Sequence, residues 1–166
     1  MARSALVLGA SGRFGRNAAL AFRHAGWVVT DFDRRSDSLS QAARGVDVIV
    51  NGWNPPYPDW ARDVPVLTKR VIDAASDTGA TVIVPGNVYV FGEDTPGPWS
   101  GGTPHRATNP LGRVRIDMEE AYRTAGIPVL ILRGGDFLDT EASGNWFDKV
   151  IAAKASAGQL TYPGRL

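Results

Sequence analysis

Five short apolar runs, at residues 5–8, 27–30, 46–50, 81–84 and 128–132, are separated by longer stretches with helical periodicity. That alternation leaves few folds open. The runs are nearly unbroken and include Val or Leu throughout, the pattern of strands covered on both faces. Between the first two, Phe14, Ala18, Ala21 and Phe22 share one face of a predicted helix over 13–25 that Gly26 closes. Val64, Leu67, Val71, Ile72 and Ala75 mark a longer helix over 60–78, and Val114, Met118, Ala121 and Tyr122 mark another over 112–125. A last helix is predicted over 146–155. Strands alternating with helices define an α/β protein, a three-layer, Rossmann-like, doubly wound parallel sheet. Right-handed crossovers and a nucleotide turn after the first strand give an expected strand order of 3-2-1-4-5.

The first strand runs into Gly9-Ala10-Ser11-Gly12-Arg13-Phe14-Gly15, which opens the first helix. In this context the first glycine makes a tight turn, the second lets a pyrophosphate approach the backbone, and the third lets helix and strand pack closely. Amides and the positive dipole end of the helix then favour phosphate. Gly9, Ser11, Gly12, Arg13, Phe14 and Gly15 are therefore candidate cofactor-binding residues. Eighteen residues past Gly15, Asp33 stands where an acidic side chain accepts the adenosine ribose hydroxyls. Its neighbours Arg34 and Arg35, with Arg13, offer a clamp for a 2′-phosphate instead. The cofactor is thus NAD or NADP, with a modest preference for NAD. Loops 53–59 and 92–109, crowded with Pro, Gly and aromatic residues, follow strand ends and occupy ligand positions.

Composition narrows the function. The 166 residues contain no Cys and only two His, His24 and His105, which excludes a zinc finger, an iron–sulfur cluster and a cysteine nucleophile and leaves no metal site to propose. A formal charge of +1 without a basic block lacks the footprint of a nucleic-acid binder. No apolar run approaches the roughly 20 residues of a membrane span, and the amino-terminal residues lead directly into a strand pattern. The expectation is a cytoplasmic domain with a small-molecule substrate, no nucleic-acid or membrane partner and, as an option, a second copy in a homodimer.

On these motifs the chain resembles the short-chain dehydrogenase/reductase superfamily, in its extended or atypical branch of NAD-dependent epimerase/dehydratase-like proteins. The turn from Gly9 to Gly15 resembles that branch's fingerprint. Asp47-Val48-Ile49-Val50-Asn51-Gly52 is similar to the family's stretch beneath the adenosine side, which adds Asn51 and Gly52 to the cofactor-binding candidates. Pro85-Gly86-Asn87-Val88-Tyr89-Val90-Phe91-Gly92 is similar to its Ser-Ser-x-x-Val-Tyr-Gly stretch. Asn109-Pro110-Leu111-Gly112-Arg113-Val114-Arg115, with Glu119, is similar to its Pro-Tyr-x-x-x-Lys helix start, and Leu132-Arg133-Gly134-Gly135-Asp136-Phe137 to its Leu-Arg stretch.

The resemblance implies a Ser, Tyr and Lys for proton and hydride transfer, and at those positions this chain has Asn87, Leu111 and Arg115. Asn can donate a hydrogen bond and Arg can hold a ribose hydroxyl, but Leu transfers no proton. The candidate catalytic set is Asn87, Tyr89 and Arg115, with Tyr89 as a substitute phenol and His105 as a second acid/base candidate. Trp53, Tyr57 and Trp99 are read as pocket walls, and Asp136 and Glu141 as loop groups. The family also continues into a substrate-binding lobe, so the residues are expected to be a nucleotide-binding domain, 1–166, without that lobe. The reading is an NAD(P)-dependent oxidoreductase or epimerase-like protein acting on a small carbonyl or sugar-like metabolite through a non-standard site. The alternatives are a non-catalytic dinucleotide-binding sensor or regulatory protein, and a domain for some other phosphate-containing ligand.

Overall fold

The computed structural model describes residues 2–135 and 147–161 and divides into two compact units, Met1–Arg133 and Gly134–Leu166. In the first unit five parallel strands, β1 (Ser4–Leu8), β2 (Val28–Phe32), β3 (Val48–Asn51), β4 (Thr81–Gly86) and β5 (Val129–Arg133), form one sheet. Four helices join them: α1 (Arg13–His24), the single turn α2 (Leu39–Ala42), α3 (Trp60–Thr78) and α4 (Pro110–Thr124).

Every predicted strand forms within a few residues of its expected bounds, and so do three of the four predicted helices. The start of α4 lies two residues earlier than Gly112. Asn109 caps it, its Oδ1 accepting from the Gly112 amide at 2.7 Å, and Pro110 supplies a preset φ at the first position. Helix α3 runs through Pro65, near its start, and ends at Gly79, whose φ of +74° is a left-handed stop that favours glycine.

The order along the sheet is 2-1-3-4-5, which corrects the expected 3-2-1-4-5. Strand β3 pairs with β1, Ala5 to Val48 through Leu8 to Asn51, and not outside β2. Burial explains the placement. All four residues of β3 are buried, whereas β2 carries Thr30 and Asp31 and is largely exposed, so the more apolar strand takes the interior position and β2 the edge. The switch in winding direction consequently falls between β1 and β3, and it brings Gly9 beside Gly52.

One face of the sheet packs Leu6, Leu8, Ile49, Val82 and Val84 against Trp60, Val64, Val71, Met118 and Tyr122 from α3 and α4. The other packs Ala5, Val7, Val48 and Val50 against Ala19, Phe14 and Phe22 of α1. In the second unit, the predicted helix over 146–155 is represented by a π-type turn at Phe147–Ile151 and a 3₁₀ turn at Ala155–Ala157. The Ala152 amide bonds back to the Phe147 carbonyl, five residues earlier. Asp136, Phe137, Glu141 and Trp146 lie outside the described residues. Among the described residues no helix is long and apolar enough to cross a membrane.

Candidate functional site

At the switch point three glycines bring backbone against backbone. Gly9 has a φ of +73°, and its carbonyl accepts from the Gly12 amide at 2.9 Å. A Cβ on Gly9 would stand 2.8 Å from the Gly52 carbonyl oxygen, one on Gly52 would stand 2.5 Å from the Leu8 carbonyl oxygen, and one on Gly15 would collide with the Gly9 carbonyl. Gly12 differs. Its added Cβ would meet only the Gly9 oxygen, at 3.3 Å, so its lack of a side chain answers no packing need of comparable strength. Gly12 is also the N-cap of α1, and no side chain caps that helix start or places an acid in its first turn. A helix start without a side-chain cap, following a turn with glycine at 9 and 12, fits a diphosphate. Ser11 is exposed, while Arg13 and Phe14 are partly buried on the first turn.

Asp33 follows β2 as the sequence placed it. Its Oδ1 accepts from the Arg35 amide at 3.0 Å and from Arg35 Nε at 3.3 Å, and its Oδ2 from the Arg35 guanidinium at 3.2 Å. These bonds hold the carboxyl below its ordinary pKa, so it is ionised at neutral pH. Arg34 is exposed and adds positive charge nearby. Asn51 is buried and bonded internally, its Nδ2 donating to the Tyr122 hydroxyl at 2.9 Å and its Oδ1 accepting from the Trp53 amide at 3.3 Å. Burial pushes the Tyr122 phenol up to about 12.

A second cluster forms beyond the ends of β3 and β4. Tyr57 sits on a 3₁₀ turn at Tyr57–Asp59 and Tyr89 on another at Tyr89–Phe91, and their hydroxyls meet at 3.1 Å. Both rings pack on Trp60, with centroids 4.8 and 6.3 Å away. Trp60 is itself buried and donates from Nε1 to the Pro55 carbonyl at 2.9 Å. The Arg115 guanidinium lies 3.9 Å over the Trp60 ring and donates to Asn54 Oδ1 at 2.7 Å. Burial lowers its pKa, and its Nε is buried without a hydrogen-bond partner. A ribose hydroxyl could reach this guanidinium only by competing with protein partners. Asn87 uses its Oδ1 to accept from the Tyr89 amide at 3.0 Å, which sets the turn and leaves its NH₂ to donate. Leu111 packs on the main core cluster.

Sequence reasoning missed a third feature. Glu119, fully buried, accepts two parallel bonds from Arg133 at 2.9 and 2.7 Å, with His105 Nε2 at 3.4 Å and Arg123 at 3.5 Å. Arg133 also donates to the Asn87 carbonyl and lies 5.0 Å over the Phe91 ring. His105, the second acid/base candidate, is therefore largely buried, with its side chain 10% exposed. It packs edge-on against Phe91, and desolvation lowers its pKa more than Glu119 raises it. The pocket-wall residues separate: Tyr57 joins the phenol cluster, Trp53 packs against Phe32 near Gly9, and Trp99 stacks on Phe91 at 4.9 Å.

The fold is shared with solved sugar-nucleotide epimerases, a hexosamine dehydratase and a short-chain dehydrogenase/reductase superfamily protein. Among solved structures, a nucleoside-diphosphate-sugar epimerase from Pseudomonas aeruginosa superposes with a TM-score of 0.77 at 20% identity, over 93% of this chain and 59% of that one. The UDP-glucuronic acid 4-epimerase from Bacillus cereus, solved with NAD, gives 0.73 at 16% identity over 94% and 63%. A short-chain dehydrogenase/reductase superfamily protein from Agrobacterium tumefaciens, with bound NAD, gives 0.63 at 24% identity over 79% and 48%. The chain thus spans about half to just under two thirds of those structures. No protein-family model and no curated protein sequence matches it.

Proposed function

We propose that this chain is the dinucleotide-binding part of an NAD-dependent oxidoreductase or epimerase whose substrate is a sugar nucleotide or a related small carbonyl compound. The observation that carries the reading is the glycine turn at the β1/β3 switch point, where Gly12 is free of a side chain beyond what packing of that turn requires. NAD is present in two of the neighbouring structures named above, and two of those neighbours are sugar-nucleotide epimerases by name. Gly9, Ser11, Gly12, Arg13, Phe14 and Gly15 would hold the diphosphate. Asp33 would take the adenosine ribose, with Arg34 at its side. Asn51 and Gly52 shape the floor of the crevice through their backbone and internal bonds. When bound, the dinucleotide would supply a hydride acceptor or donor, and the Asn87 amide would donate to a substrate oxygen. Arg115 acts from beneath the aromatic cluster.

Gly12→Val should abolish calorimetric NAD binding while the urea unfolding midpoint falls far less than for a substitution at Gly15, since the added Cβ meets a single oxygen, at 3.3 Å, that has to give by only a few tenths of an ångström. Undiminished NAD affinity in that variant would place the site elsewhere. The ionised Asp33 repels a 2′-phosphate, so NAD should bind somewhat more tightly than NADP. Asp33→Ala should reduce the NAD/NADP affinity ratio about fivefold. A parent protein that prefers NADP would show that Arg13, Arg34 and Arg35 dominate.

A further inference from the structure

With Leu111 packed on the core cluster at the family's proton-donor position, the proton-transfer chemistry proposed above needs another group. We infer that Tyr57 and Tyr89 form a phenol pair that performs it, backed by Arg115 and assembled from the loops after β3 and β4 instead of from α4. This inference rests on the dinucleotide reading for its hydride step, but its geometry stands apart from that reading.

The pair has the parts such a device needs. The two hydroxyls are 3.1 Å apart, so one can donate to the other when the other has lost its proton. A buried Trp60 under both rings fixes their spacing, and its own ring is held by the Pro55 carbonyl on one edge and Arg115 on its face. Arg115 is 8% exposed, so its charge is weakly screened by solvent, and the phenols of Tyr57 and Tyr89 are among the groups that act on it electrostatically. Tyr57 and Tyr89 are 53% and 39% exposed, which gives the proton a route to solvent. The Asn87 side chain fixes the Tyr89 turn and ends beside it.

In the oxidising direction a substrate alcohol loses its hydroxyl proton to the ionised phenol oxygen of the pair. A bound oxidised nicotinamide dinucleotide would accept the hydride, with both electrons of the carbinol C–H bond, as the C–O bond becomes a carbonyl. The proton passes along the hydroxyl–hydroxyl hydrogen bond to water. Reduction runs the same transfers backwards. Arg115 touches neither substrate nor proton in this scheme and is a positioning residue.

Nitration by tetranitromethane at pH 8, mapped by peptide mass spectrometry, tests the pair without a substrate, because the reagent attacks the phenolate. Because the two hydroxyls are hydrogen-bonded, the nitration rate of each should depend on the presence of the other. Tyr57→Phe should slow nitration of Tyr89 about threefold or more, and Tyr89→Phe should do the same to Tyr57. Arg115→Met should slow both, with Arg115→Lys restoring most of the rate, a rescue that a merely structural arginine would not give. Rates at each phenol that ignore loss of the other overturn the pair. Calorimetry with NAD separates the two readings. The Tyr57→Phe/Tyr89→Phe double variant should keep NAD affinity within about twofold, and failure of the parent to bind NAD would overturn the hydride step whatever the nitration pattern.

Discussion

Arg133→Met is expected to destabilise the protein by about 3–5 kcal/mol, a large share of the stability of a domain this size. Glu119 is fully buried, and Arg133 supplies both of its strong, parallel hydrogen bonds. Removing the guanidinium leaves the carboxylate with His105 Nε2 at 3.4 Å and Arg123 at 3.5 Å, both at one oxygen. Neither replaces a bidentate partner. The Asn87 carbonyl and the Phe91 ring lose a partner in the same step. Urea unfolding measures the loss, and a change below about 1 kcal/mol would mean that Glu119 is not carried as a buried charge. The companion variant Glu119→Leu/Arg133→Met removes both charges and should recover much of the loss, because a buried ion pair of this kind can be replaced by apolar groups at little net cost.

This network also marks the limit of what could be read from the sequence. The strands, α1, α3 and the glycine turn were legible because each is a local pattern: an apolar run, a 3.6-residue period, or glycines at fixed offsets after a strand. Strand order was not, because apolar content fixes which strand is central only once the alternatives are compared, and the polar Thr30 and Asp31 of β2 were the signal that made it an edge. Glu119 and Arg133 are fourteen residues apart on different elements, and nothing in either stretch announces a buried pair. His105 looked unoriented for the same reason, since its partner comes from α4. Within the site, Tyr89 was visible as a phenol near Asn87, but the role of Tyr57 depends on a contact 32 residues distant in sequence. Arg115 was placed correctly on its helix. Its direction was the part that sequence could not supply, and the ring of Trp60 decides it.

Gly15→Ala should cost about 2 kcal/mol, and Gly15→Val should prevent folding to the native state at ordinary temperature. An Ala inside a helix ordinarily gains about 1 kcal/mol over Gly, so the expected sign runs against helix propensity and isolates the steric term. That term is backbone against backbone. A Cβ at Gly15 would collide with the Gly9 carbonyl oxygen and stand 2.7 Å from its carbon and 3.0 Å from the Ala10 Cα, none of which can rotate away as a side-chain tip could. Relief requires α1 to move off β1 or the Gly9 turn to open. Opening that turn would disturb Gly52, whose carbonyl already lies against Gly9. Gly12→Ala is the control, with its Cβ 3.3 Å from a single oxygen and an expected change within about 0.5 kcal/mol. Unfolding midpoints for the two Ala variants, measured side by side, decide the matter. A Gly15→Ala protein as stable as the parent would show that α1 can withdraw freely, and the close helix–strand approach at the turn would then carry no structural weight.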